Sequence, residues 1–144
     1  MIHTHSLGRG VRYHPDNAAI ASGAKLLTFR ELHDRVGSIA ATLKKHGFGV
    51  GDRLAIFLPN EREYIELVYA CAWLGVIVVP LNTRLTASEI DHILSDATPR
   101  GLIRHSSLAV PSVRLSWERV LDQEPLDALA DSYPEVMYLS LIHI

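Results

Sequence analysis

The chain has 144 residues, 48% of them hydrophobic and 21% charged, which is ample material for one packed core and excludes intrinsic disorder. A formal net charge of −2 with no run of Lys or Arg excludes a basic stripe for nucleic acid or an anionic membrane surface. Cys71 is the single cysteine, which excludes an internal disulfide framework and fits a reducing compartment.

The first residues, Met1-Ile2-His3-Thr4-His5, have neither an apolar core nor a signal-peptide pattern, and the expectation is a flexible terminus. His3 and His5 supply only two metal ligands, too few for a site. Residues 18–28 read as a hairpin turning at Ser22-Gly23. Thr28 and Glu31 then stand three apart, the spacing at which hydroxyl and carboxylate each satisfy a free N–H at a helix start. Phe29, Leu32, Val36, Ile39 and Leu43 follow at helical spacing. Lys44, Lys45 and His46 suit the negative end of the helix dipole, and Gly47 suits a left-handed cap.

Glycines 47, 49 and 51 do not form a nucleotide loop. A phosphate-binding loop requires strand before and helix after, whereas here the helix comes first. A C-cap and a tight turn into the next strand are expected instead. Residues 54–58 and 76–79 are continuous apolar runs, the pattern of strands buried on both faces of a parallel sheet. Between them lies an apolar helix expected to be capped by Asn60, with Tyr64, Leu67, Val68, Cys71 and Leu74 on one face. The greasiest segment, residues 67–81, is shorter than the roughly 20 residues of a membrane span, and a cytoplasmic protein is expected.

A third helix starts at Thr86-Ala87-Ser88-Glu89 and packs through Ile90, Ile93 and Leu94. Residues 101–104 make a third strand and 113–115 a weaker fourth. Ser116-Trp117-Glu118 reads as the start of a short helix, and 122–131 as a polar connection. The alternation of strand and helix predicts an α/β layered architecture.

Chemistry-bearing residues are sparse. Cys71 sits in an apolar helix and reads as a core filler, because a buried thiol without a cationic neighbour stays protonated. Glu61, Glu63 and Glu66 crowd a helix start, where negative charge suits the dipole, and read as structural. His33 and His46 fall on or near a solvated face, and His92 with Asp96 permits a surface pair. None has a Ser or Cys partner set for nucleophilic catalysis. Trp73 reads as core or interface packing.

Several stretches together carry a resemblance. His14-Pro15-Asp16-Asn17-Ala18-Ala19-Ile20 is followed by Leu27-Thr28-Phe29-Arg30-Glu31-Leu32, then by Gly51-Asp52-Arg53-Leu54-Ala55 with Leu58-Pro59-Asn60. Residues 73–82, Trp-Leu-Gly-Val-Ile-Val-Val-Pro-Leu-Asn, and Thr83-Arg84-Leu85 with Glu89-Ile90 complete the set. In this order they resemble the N-terminal part of the adenylate-forming enzymes: acyl-CoA synthetases, luciferases and peptide-synthetase adenylation domains. The resemblance runs from about residue 15 to residue 138. It implies an incomplete layered sheet with flanking helices, part of that superfamily's large N-terminal domain.

The resemblance also implies a two-step ligase. A carboxylate attacks the α-phosphate of ATP to give an acyl-adenylate and pyrophosphate, with Mg²⁺ balancing charge, and the thiol of coenzyme A then displaces AMP. Such chemistry needs donors and cations aimed at the phosphates. In the family these come from a Thr/Ser/Gly-rich loop with a lysine, after a strand ending like Glu135-Val136-Met137-Tyr138. Here Leu139-Ser140-Leu141-Ile142-His143-Ile144 follows, and only Ser140 coincides with that loop.

The expectation is therefore a truncated segment of an ATP-dependent acid–CoA ligase, for a fatty or related acid, inactive alone. No catalytic, cofactor-binding or metal residue is assigned in it. Gly75, Pro80, Asp52 and Asn82 receive scaffold duties as helix end, strand end and turn formers. Residues 1–138 form the partial AMP-binding domain. Residues 139–144, similar to peptides translated from sequencing-adapter DNA, are expected to be non-native. ATP, Mg²⁺ and coenzyme A belong to the longer parent, and none is expected for the segment alone. The alternatives are a segment of an amino-acid or aryl-acid adenylating domain, or a stand-alone α/β binding module.

Overall fold

A computed structural model describes residues 2–108 and 111–121. The chain opens with α1 (Ile2–Tyr13), where a flexible terminus was expected. Tertiary packing overrides the weak local pattern: Leu7 is buried in the core, and a Cβ on Gly10 would overlap the ring of Phe29. Glycine thus lets the helix lie directly on the start of the next one.

The hairpin forms as expected, from β1 (Ala18–Ser22) and β2 (Lys25–Thr28), paired antiparallel. Ser22 pairs with Lys25, so the turn residues are Gly23 and Ala24, one position later than the sequence indicates, with Gly23 at φ 59°. Next comes α2 (Phe29–Lys45), and the Thr28/Glu31 reciprocal cap is present. The Thr28 hydroxyl accepts the Glu31 N–H at 3.2 Å, and the Thr28 N–H donates to Glu31 Oε2 at 2.8 Å. Gly47, at φ 85°, turns the chain towards the sheet.

The remaining elements are β3 (Arg53–Phe57), α3 (Arg62–Leu74), β4 (Ile77–Pro80), α4 (Ala87–Ala97), β5 (Gly101–His105) and β6 (Trp117–Leu121). The four strands form one parallel sheet in the order β4-β3-β5-β6. In register, Ile56 of β3 stands between Pro80 of β4 and Ile103 of β5. β3 alternates across the sheet. Leu54 and Ile56 face a core built with α1, α2 and α3 through Leu7, Leu32, Val36, Ile39, Leu67 and Cys71. Ala55 and Phe57 face a second core with Leu81 and with Ile90 and Leu94 of α4. The result is an α/β layered sheet with helices on both faces, the expected class.

Further local expectations are corrected. First, α3 is capped by Glu61, not Asn60, and no side chain completes that cap. The Glu61 N–H bonds the Pro59 carbonyl at 2.8 Å, so a tight three-residue turn occupies Asn60 and moves the helix start one residue on. Second, Ser116-Trp117-Glu118 leads into β6 instead of a helix, and 113–115 lies outside any strand. The open edge of β5 supplies a ladder for residues 117–121, and Trp117 sits opposite Gly101, where only a glycine leaves room for its ring. Third, 76–79 is not buried on both faces: β4 lies at the sheet's edge, and Ile77 is 50% exposed.

The expectations for 122–131, for the strand ending at Tyr138, for Ser140 and for the boundary at 138/139 fall outside the described residues. Among the described residues no helix is long and apolar enough to cross a membrane.

Candidate functional site at the carboxyl ends of the parallel strands

In an open parallel sheet, ligands favour the crevice beyond the carboxyl ends of the strands, where the chain reverses its direction of travel across the sheet. Here β3 connects through α3 to β4 on one side. The chain then returns through α4 to β5 on the other. The reversal falls between β3 and β5. Their exits, Leu58-Pro59-Asn60-Glu61 and Ser106-Ser107-Leu108, are the geometrically favoured place for a ligand.

The β5 exit holds a Ser–His contact. Nδ1 of His105 accepts the Ser107 N–H at 3.1 Å and lies 2.7 Å from the Ser107 hydroxyl. These contacts close a turn two residues long. Beside it Arg104 Nε donates to Glu118 Oε1 at 2.6 Å, tying β5 to β6.

The β3 exit leads into the first turn of α3, where an open hollow of about 260 Å³ lies between Ile20, Ala21 and Ser22 of β1 and Asn60, Arg62 and Tyr64. Arg62 is held by two carboxylates, Glu63 Oε1 at 3.3 Å and Glu66 Oε1 at 3.4 Å. Glu66 has no exposed side-chain surface and also accepts a forked pair of hydrogen bonds from Arg35 of α2, the outer one at 3.1 Å. Two acids and two guanidinium groups thus compensate one another within this brace.

The expected structural role of the acidic cluster is seen in this brace, although the three acids divide their duties. Glu61 is exposed at the cap, while Glu66 is fully buried between two helices. No sequence signal marks the Arg35–Glu66 pair, because its partners are 31 residues apart. Cys71 is a core residue as expected, and burial pushes its thiol up to about 12, which leaves no thiolate at neutral pH.

Trp73 packs against His33 with ring centroids 5.1 Å apart, across the α2–α3 interface. His33 is accordingly half-buried, more enclosed than a solvated helix face implies. His46 is exposed but lies 5.4 Å from the Trp117 ring. His92 and Asp96 are both exposed on α4. His3 and His5 fall within the α1 backbone span.

The turn formers act as expected. Asp52 Oδ2 accepts the Gly49 N–H at 2.8 Å and Arg100 Nη1 at 3.0 Å, and Asn82 Oδ1 accepts the Arg84 N–H at 2.9 Å. Gly75 ends α3 at φ 74°. Among the described residues no group of three His, Cys, Asp or Glu side chains is placed to hold a metal ion. The donors that the sheet's carboxyl end brings together build turns and braces.

Comparison with known proteins accounts for such a scaffold. Residues 7–137 match the family described as AMP-binding enzyme. A feruloyl-CoA synthase of Amycolatopsis sp. is 36% identical over 130 residues, covering 89% of this chain and 26% of that protein. A 2-succinylbenzoate–CoA ligase of Oceanobacillus iheyensis is 38% identical over 72% of this chain and 22% of its own length. The chain thus spans about a quarter of the curated relatives it matches.

Among solved structures, the N-terminal subdomain of Klebsiella oxytoca NpsA, in complex with 3-hydroxybenzoyl-AMSN, superposes with a TM-score of 0.76. It is 25% identical, over 92% of this chain and 32% of that one. The o-succinylbenzoate CoA synthetase of Bacillus subtilis, in complex with its acyl-adenylate intermediate, gives 0.73 at 28% identity over 90% and 33%. The family match spans nearly all of the described fold, and the chain belongs to the AMP-binding family of adenylate-forming enzymes.

Proposed function

We propose that this chain is a scaffold segment of an ATP-dependent acid–CoA ligase. The parent joins a carboxylate to AMP with release of pyrophosphate, then transfers the acyl group to the thiol of coenzyme A with release of AMP and a proton. The observation that carries this reading is the family match over residues 7–137 together with 36% identity to feruloyl-CoA synthases over 89% of the chain. The substrate class is a fatty or related carboxylic acid, an aryl-propenoic acid among them, and the setting is the cytoplasm.

On this reading residues 1–138 contribute a partial AMP-binding domain with no catalytic, nucleotide-binding or metal-binding side chain. Mg²⁺, ATP and coenzyme A are held by residues beyond it, and residues 139–144 are not native. What this chain's own residues do is hold the carboxyl ends of β3 and β5 rigid. The Glu66 brace fixes α3 against α2, and the Arg104–Glu118 pair fixes β6 against β5. A rigid sheet is what a site assembled on neighbouring segments requires for its geometry.

The test uses the complete reading frame containing these codons, recovered from intact genomic DNA. With a panel of fatty and aryl acids it should exchange labelled pyrophosphate into ATP and form an acyl-CoA, while the 144-residue chain alone should do neither. Failure of the complete product to exchange with every acid overturns the ligase reading, and turnover by the short chain overturns the scaffold reading. The NpsA superposition, at a TM-score of 0.76, favours one second reading, an adenylating domain that passes its acid to another acceptor. That protein would exchange pyrophosphate yet form no acyl-CoA.

A further inference from the structure

We draw no further inference here: the strongest candidate, the open hollow of about 260 Å³ between β1 and the first turn of α3, joins a half-apolar wall to a helix start without a side-chain cap, and nothing in the structure shows what covers or occupies it.

Discussion

Glu66 illustrates how much a single buried carboxylate can govern. Its side chain is fully buried; Arg35 donates to both of its oxygens, and Arg62 approaches Oε1 as well. Replacing it with Gln preserves shape but leaves two guanidinium groups facing a neutral amide in a largely dry site. Removing one partner of a buried ion pair costs about 3–5 kcal/mol, because the remaining charge stays desolvated. The Glu66→Gln variant should therefore lose stability on that scale, read as a lowered urea midpoint at unchanged slope. A loss below about 0.5 kcal/mol, the range of ordinary surface substitutions, would show that the brace is not a stabilising feature.

A second residue-scale expectation concerns space. A Cβ on Gly101 would meet Trp117 Cε3 at 2.7 Å, Phe48 Cζ at 2.8 Å and the Trp117 carbonyl at 3.0 Å. Two of those atoms belong to rings that already pack edge to face, with centroids 5.2 Å apart. Overpacking of this kind costs about 1–3 kcal/mol. Gly101→Ala should lower the melting temperature and alter tryptophan fluorescence, since the alanine pushes on the β6 ring directly. Unchanged emission would mean that β6 does not occupy the register described.

At the scale of elements, the two reciprocal caps make stability depend on pH. Glu31 and Glu89 each accept a hydrogen bond from a threonine backbone N–H and another from its hydroxyl, and these hold both carboxyls below their ordinary 4.5. A carboxyl with a depressed folded value stabilises the fold while it is ionised. That contribution is complete above the unfolded value and is lost as pH falls through the lower folded one. The expected window is below pH 4.5. A Glu31→Gln, Glu89→Gln double variant keeps an acceptor but removes the titration. Its melting temperature should decline less steeply than the parent's in that window; parallel curves would refute the linkage.

These caps were legible in the sequence because they need only residues three apart. The α3 cap was not, because a turn at Asn60 fixed by Pro59 displaced it by one residue. β6 was misread for a different reason: a short stretch holding a tryptophan is undecided locally, and the free edge of β5 decides it.

For the whole molecule, the consequence lies at the sheet edges. Among the described residues β4 and β6 are the outer strands, and each exposes a β-branched side chain, Ile77 at 50% and Val120 at 42%. Edge strands with free backbone donors and apolar side chains template pairing with other chains. The 144-residue chain should associate as its concentration rises, measured by sedimentation velocity, and Ile77→Lys should reduce that association without lowering the melting temperature. A lysine variant that associates equally would place the contact elsewhere.

The division between sequence and structure follows from range. The chain by itself determined the α/β alternation, three helix faces, the hairpin, the glycine turn at 47–51 and the family, since each rests on residues close together or on ordered short motifs. It also determined that Cys71 is a core thiol, because hydrophobic neighbours at helical spacing already imply burial. Only the tertiary structure decided the sheet order, the place of β4 at an edge, the helical N-terminus and the Arg35–Glu66 brace. Each of these depends on which surfaces meet across tens of residues. Local propensity carries no record of that choice; it is made by the burial of apolar surface in the folded chain.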